Sequence, residues 1–291
     1  MSPAERNLVL WAGCVMKRSL PERAEAAVAG GFACMSILCG DLVAHERAGG
    51  SVRELGRDLA ARGAPAPILD PFLAWYPGWK GSSATGAQAD HQNVDADTVL
   101  RFAEELGARS LSVLTPFEGS PAPREQVLDA LGAFADRAAA IDLALHIEVI
   151  PTSMTPDLAA GWDLVQGVGR ANVGLVLDTF HLGRSGCTPE QLEAIPGDRV
   201  FHVQLCDAPR EPRIADYFEE AVTIRDFAGE GELGVVELAR SLDRMGALRN
   251  VGPEVFSAEL DAMDAAEVGR LCRAKTDAFL ATVEEAYDRS T

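Results

Sequence analysis

Four polar side chains stand near the ends of apolar, strand-like runs in the second half of the chain. They are Glu148 in HIEVIP, Asp178 in LVLDTFH, Gln204 in HVQLCD and Glu254 in GPEVF. A carboxylate buried in an apolar interior costs several kcal/mol unless a positive charge compensates it, and Lys and Arg are scarce within these runs. The pattern therefore predicts that one divalent cation binds all four residues.

The oxygen atoms of three carboxylates and one amide are typical ligands of a hard or borderline cation. We expect one Mg²⁺ or Mn²⁺ ion, with Zn²⁺ and Co²⁺ as alternatives. Each residue taken alone has an ordinary explanation, because an acidic residue at a strand end often caps a helix or joins a salt bridge. Four such residues in consecutive runs are harder to explain in that way.

Two histidines precede two of these residues by two positions, so that each pair shares one face of its strand. His146 precedes Glu148, and His202 precedes Gln204. Each histidine has two interpretations, a side chain that lines a substrate pocket and a packed core residue. Both interpretations stay open, and we treat both histidines as candidate substrate-binding residues.

The four runs belong to a repeating pattern in which a short apolar run is followed by a segment with helical spacing. This alternation is typical of βα units, of which we count eight. The second run, CMSILC, is followed by SVRELGRDLAARG, which we expect to be helical. The length of 291 residues is close to the ~250 of a typical (β/α)₈ barrel. We therefore predict a single (β/α)₈ TIM barrel domain over residues 1–291, whose strand ends meet at one mouth.

A long segment at about 71–93 separates the third strand from its helix. It is rich in Gly, Ser and aromatic residues, among them Trp75, Tyr76 and Trp79, and it also contains Lys80. Long loops in compact domains are often functional or mobile. The aromatic side chains either close over a substrate or plug the loop, and both interpretations stay open.

Charge and composition exclude several classes of partner. A formal net charge of −18 repels phosphate backbones, so nucleic acid is not an expected partner. No run approaches the ~20 apolar residues of a membrane span, and the start, MSPAERNLVLWAG, is unlike a signal peptide. The six cysteines include no CxxC pair, which indicates buried free thiols. We expect a cytoplasmic protein that acts on a small molecule.

Several stretches between residues 146 and 260 resemble one known family. They include HIEVIP, GLVLDTFHLGRSG, VFHVQLCDAP and GPEVFSAEL, in the family's order and approximate spacing. The chain resembles the xylose isomerase-like TIM barrels (AP endonuclease family 2), in particular the sugar phosphate isomerase/epimerase group and its 3-dehydroshikimate dehydratase relatives. The N-terminal half resembles them more loosely.

The resemblance implies that Glu148, Asp178, Gln204 and Glu254 occupy the family's metal-ligand positions. Many members have His where this chain has Gln204, whereas the dehydratase and hydroxypyruvate isomerase branches resemble it in using Gln. The family pattern also implies two substrate-binding residues, His181 in DTFH and Arg225 in TIRDFAGEG. The alternatives are that His181 orients a metal ligand and that Arg225 is a surface residue.

Members of this family share one chemical step, in which a carboxylate removes a proton next to a carbonyl and a metal-stabilised enediolate forms. The resemblance makes Glu148 and Glu254 the candidate catalytic pair. Return of the proton gives an isomerase or epimerase of a sugar-like or hydroxy-ketone substrate, which is the leading interpretation. Loss of a β-hydroxyl gives a dehydratase, and a non-catalytic barrel that binds a sugar-like ligand is the other alternative. The family likeness also suggests a homodimer.

Overall fold

The structure, a computed structural model, describes residues 6–81, 90, 93–117 and 122–288. Eight strands follow one another in chain order and close a barrel, so the predicted TIM barrel fold is confirmed. The strands are β1 (Asn7–Leu10), β2 (Cys34–Leu38), β3 (Ile68–Phe72), β4 (Ser110–Val113), β5 (Ala144–Glu148), β6 (Val173–Asp178), β7 (Val200–Leu205) and β8 (Asn250–Pro253).

Helices occupy the connections between the strands. They are α1 (Leu20–Gly30), α2 (Cys39–Arg47), α3 (Val52–Ala61), α4 (Ala96–Leu106), α5 (Arg124–Ala139), α6 (Leu158–Val168), α7 (Thr179–Arg184), α8 (Pro189–Glu193), α9 (Tyr217–Thr223), α10 (Val235–Arg244), α11 (Ala258–Ala262) and α12 (Ala265–Asp288), with 3-10 turns at Ala12–Val15 and Gly197–Arg199. None of the helices within the described ranges is long and apolar enough to cross a membrane.

The chain divides into two compact units. We call Met35–Leu175 the central unit, and the segments up to Cys34 and from Val176 together the flanking unit. In the central unit, β3 pairs in parallel with β2 and β4, and β4 pairs with β5. The register places Ser112 beside His146, so these two side chains lie on one face of the sheet.

In the flanking unit, β8 lies between β7 and β1, and Gln204 is paired with Gly252. A Cβ atom added at Gly252 would lie 1.7 Å from the backbone oxygen of Val9. Only glycine permits this close approach of two strands. A similar contact joins α1 to α12, because a Cβ atom on Gly269 would lie 1.9 Å from the backbone oxygen of Ala26.

The residues at the start of α1 explain why that helix begins there, whereas those at the start of α2 do not. Glu22 accepts the backbone N–H of Ser19 at 2.8 Å, and Gly31 ends α1 with a φ of 64°. The predicted helix SVRELGRDLAARG forms as α3, but a further helix, α2, precedes it and begins directly at Cys39. Asp41 accepts the N–H of Leu38 at 3.2 Å, and Leu38 carries none of the usual capping side chains. The sequence pattern therefore gave no sign of this start.

The third connection buries its first two aromatic residues. Trp75 and Tyr76 are each 6% exposed. Nε1 of Trp75 donates to the backbone oxygen of Leu114 at 2.7 Å, and the hydroxyl of Tyr76 accepts the N–H of Ala122 at 3.1 Å. These contacts favour the plug interpretation for both residues. Residues 82–89 and 91–92 of this segment lie outside the described residues.

Candidate metal centre

Asp178 is the last residue of β6 and the cap of α7. Its Oδ1 accepts the N–H of Phe180 at 2.8 Å and the thiol of Cys206 at 3.1 Å, while its Oδ2 accepts Nη1 of Arg225 at 2.6 Å. Burial raises the pKa of Asp178, but Arg225, His181 and Cys206 together hold this pKa below its ordinary value. Asp178 is therefore an ionised carboxylate inside the protein.

Arg225 lies inside the flanking unit, where it reaches a second candidate ligand. Its side chain is 3% exposed, and Nη1 lies 3.5 Å from Oε2 of Glu254. Lys and Arg are scarce within the strand runs themselves, but a loop arginine folds inward and supplies one positive charge to these carboxylates. Burial lowers the pKa of Arg225, but Asp178, Cys206 and Glu254 raise it well above its ordinary value.

Glu254 directly follows β8, and the structure leaves room for its side chain. Its backbone N–H donates to Leu205 at 3.0 Å, which extends the pairing with β7 by one residue. A Cβ atom at Gly13 would lie 2.8 Å from Cγ of Glu254, so the glycine makes space for the carboxylate. Glu254 is 5% exposed.

Gln204, on β7, offers an oxygen that the fold does not satisfy. The residue is 1% exposed, and its Oε1 has no hydrogen-bond partner among the described residues. A buried amide oxygen without a partner costs free energy. The donor set of Asp178, Gln204 and Glu254 therefore fits a hard divalent cation, which would coordinate this oxygen.

His202 and His181 have different surroundings. His202 packs edge-on against Trp11, with ring centroids 5.7 Å apart, and burial lowers its pKa to about 4, so it is neutral at pH 7. His181 lies in α7 with Nε2 3.7 Å from Oδ2 of Asp178, and its Nδ1 is hydrogen-bonded to the hydroxyl of Tyr217. His181 is thus directed towards a candidate ligand.

The central unit holds the remaining candidates. Glu148 ends β5 with 8% exposure, and His146 is fully buried. Asp70 on β3 was not among the predicted site residues. Burial and the nearby charge of Glu148 raise the pKa of Asp70 to about 7, although a hydrogen bond with Ser112 partly opposes this rise. Asp70 precedes Pro71, and an Asp-Pro pair normally indicates a turn, which is why the sequence did not suggest a functional acid.

Each of the four predicted metal ligands thus lies at, or one residue from, the carboxyl end of its strand, and each is buried. The structure brings Asp178, Glu254, Arg225 and His181 together within the flanking unit. Tyr217 also belongs to this group, although it lies between two acidic stretches that gave no functional signal.

Comparisons with known proteins indicate the chain's relatives. The model of the xylose isomerase-like TIM barrel family matches residues 24–273. The chain is 28% identical over 240 residues to the 3-dehydroshikimate dehydratase of Pseudomonas aeruginosa. The match covers 82% of this chain but 36% of that protein. It therefore spans about a third of that relative's length.

Two further relatives match less of the sequence or only the fold. The inosose isomerase of Bacillus velezensis is 27% identical over 140 residues, covering 48% of this chain and 49% of that protein. A crystal structure of the IOLI protein with a bound zinc atom has a TM-score of 0.79 at 18% identity, and the match covers 96% of this chain and 98% of that one. At that identity the likeness shows a common fold.

Proposed function

Because the chain belongs to the xylose isomerase-like TIM barrel family, we propose that it is a divalent-metal-dependent enzyme that removes a proton next to the carbonyl of a hydroxylated ketone. The observation that carries this proposal is the buried Oε1 of Gln204, which has no hydrogen-bond partner among the residues that the structure describes. Gln204 lies on β7, between the strand that ends at Asp178 and the strand that precedes Glu254. An oxygen left in this state is explained by a cation that binds it.

The proposed ligands are Asp178, Gln204 and Glu254, and the family resemblance adds Glu148 as the fourth. A divalent ion bound there would supply positive charge beside the substrate oxygens on which negative charge develops. The zinc atom bound in the IOLI protein supports a divalent ion. The amide oxygen of Gln204 favours Mg²⁺ or Mn²⁺, because imidazole suits Zn²⁺ better.

The chain's own residues would bind the substrate and move the proton. Glu148 and Glu254 are the proposed proton-transfer pair, since each carries a carboxylate at the end of its own strand. His181 is the proposed contact to a substrate hydroxyl or carbonyl oxygen. Arg225 keeps Asp178 ionised, and it would hold the two flanking carboxylates in place before the ion binds.

The extent of the match favours dehydration as the first reaction to test. The dehydratase relative matches 240 residues, whereas the inosose isomerase matches 140. The substrates in these two names are both hydroxylated cyclic ketones, and we propose the same class here. In dehydration, the base takes the α-proton and the β-hydroxyl takes a proton and leaves as water. Isomerisation or epimerisation, in which the proton returns to carbon, was the leading interpretation from the family resemblance and is the second candidate here.

Incubation with 3-dehydroshikimate or an inosose in D₂O tests the proposal. The protein is stripped with chelator and reloaded with Mg²⁺ or Mn²⁺. A new conjugated absorbance indicates dehydration, and deuterium uptake without loss of water indicates isomerisation or epimerisation. Binding without turnover would support a ligand-binding barrel and contradict the proposed enzyme.

Two variants separate chemistry from folding. Glu148→Gln is expected to abolish turnover, whereas Glu190→Gln, an exposed residue of α8, is expected to leave it unchanged. Activity that survives in Glu148→Gln, or in chelated protein, would show that the proposed site is not the one that reacts.

A further inference from the structure

Tyr217, which belongs to none of the motifs noted in the sequence, contacts His181. The hydroxyl of Tyr217 is hydrogen-bonded to Nδ1 of His181, and the two ring centroids lie 5.9 Å apart with a tilt of 34°. Phe180 packs against both rings, with its centroid 5.4 Å from His181 and 5.8 Å from Tyr217. His181 is 3% exposed, so neighbouring side chains fix the orientation of its ring.

The other ring nitrogen of His181 faces a negative charge. Nε2 lies 3.7 Å from Oδ2 of Asp178, which is beyond hydrogen-bond distance but close enough for a strong electrostatic effect. An ionised carboxylate attracts an N–H at this nitrogen and repels a lone pair. It therefore favours the tautomer that carries the proton on Nε2, in which Nδ1 accepts and the hydroxyl of Tyr217 donates.

A buried ion pair holds Tyr217 in position. Arg184 of α7 donates to Glu220 of α9 through two nitrogens, at 2.7 and 3.2 Å, and the two side chains are 8% and 1% exposed. Nε of Arg225 also donates to the backbone oxygen of Ala221 at 2.6 Å. The helix that carries the phenol is thus attached both to the helix that carries the imidazole and to the arginine that contacts Asp178.

We propose that Tyr217 is a positioning residue that keeps His181 in the Nε2–H tautomer, so that His181 presents a hydrogen-bond donor to a substrate oxygen. This inference rests on the proposed function, because the oxygen is the one that gains negative charge when a carboxylate removes the adjacent proton. A donor at Nε2 stabilises that charge. An unprotonated Nε2 would instead compete as a base.

The tautomer is measured directly by ¹⁵N–¹H correlation spectra of the imidazole rings, recorded on the whole protein with and without Mg²⁺. His181 is assigned by its absence in His181→Gln. In the unmodified protein, Nδ1 is expected to show the deshielded shift of an unprotonated ring nitrogen, and Nε2 the shift of an N–H. In Tyr217→Phe, which keeps the ring, the Nδ1–H form is expected to appear.

A matched variant and a kinetic measurement complete the test. Phe218→Leu changes the neighbouring residue, which is 41% exposed, and is expected to leave the spectrum unchanged. With a substrate in hand, Tyr217→Phe should lower kcat about tenfold while KM changes less than about twofold, as expected when a transition-state contact is lost.

The outcomes separate this inference from the proposed function. A protonated Nδ1, an imidazolium in the unmodified protein, or no change in Tyr217→Phe would overturn the role of Tyr217 even if the protein turns over substrate. If the spectra are as expected but the protein converts no substrate, the proposed function is overturned while the tautomer of His181 is established.

Discussion

The guanidinium of Arg225 lies 2.6 Å from the carboxylate of Asp178, and both side chains are almost fully buried, with exposures of 3% and 0%. The two residues are 47 positions apart in the chain, and their pairing supplies one positive charge among the proposed metal ligands. The ligand set is therefore partly compensated before any cation binds.

Arg225→Met should destabilise the protein strongly. Removing one partner of a buried ion pair leaves an uncompensated charge, which typically costs about 3–5 kcal/mol. Urea unfolding of the metal-free protein measures the change in free energy. The control is Arg170→Met, whose pair with Asp136 is exposed and should cost less than about 1 kcal/mol. Equal losses of unfolding free energy in the two variants would show that the buried Arg225 pair contributes no more to stability than the exposed pair.

Gln204→Leu should weaken metal binding without destabilising the metal-free protein. The substitution removes the buried amide whose oxygen has no partner within the described part of the chain, so the metal-free fold should be as stable as before or more stable. The dissociation constant for Mn²⁺ should rise at least about tenfold, or about 1.4 kcal/mol. Isothermal titration calorimetry measures the affinity, and unchanged affinity would exclude Gln204 as a ligand.

Gln204→His should shift metal preference towards Zn²⁺. An imidazole nitrogen in place of an amide oxygen is a better ligand for Zn²⁺ than for Mg²⁺. Competition between the two ions, followed by metal analysis of the dialysed protein, measures the ratio. A ratio equal to that of the unmodified protein would contradict the prediction.

Asp95→Ala should lower stability in a pH-dependent way. Asp95 caps α4 by accepting the N–H groups of Asp97 and Thr98 at 3.0 and 2.9 Å, and a lost cap costs about 1 kcal/mol. The N–H of Thr98 is the main reason why the pKa of Asp95 is lowered. A carboxyl group with a lowered pKa contributes stability above its unfolded value of about 3.9, and this contribution disappears as pH falls through the folded value.

The difference in unfolding free energy between the unmodified protein and Asp95→Ala should therefore be largest near neutral pH and shrink below about pH 4. Asp95→Asn is the control, because asparagine caps a helix almost as well and does not ionise. A difference that stays constant with pH would show that the ionised carboxylate contributes nothing.

Gly252→Ala should prevent normal pairing of β8 with β1. The added Cβ atom would lie 1.7 Å from the oxygen of Val9, so one strand must move. Gly132→Ala in α5 is the matched control, because its nearest neighbour would be 3.7 Å away. Alanine should stabilise that helix by about 0.5–1 kcal/mol. Thermal unfolding measures both, and a stable Gly252→Ala protein would contradict the described register.

The sequence predicted what depends on strand periodicity and strand ends. Glu148 and Asp178 end their strands, and Gln204 and Glu254 lie one residue from the ends of theirs, as the apolar runs indicated. The family resemblance indicated Arg225, but nothing in the sequence predicted its ion pair with Asp178, because a loop residue 47 positions from Asp178 has no periodic relation to it. It also missed Tyr217, whose role depends on how the buried Arg184–Glu220 pair orients a short helix.

One oxygen of Asp178 starts the helix that carries His181, because it accepts the N–H of Phe180. The residue proposed to hold the cation is therefore also the anchor of the residue proposed to contact the substrate. Any movement of this carboxylate on ion binding is transmitted through one turn of backbone to the imidazole. Binding of the cation and the orientation of the His181 ring should thus be thermodynamically linked. A substrate oxygen bound by His181 should increase the affinity for the ion, and the ion should increase the affinity for substrate by the same factor.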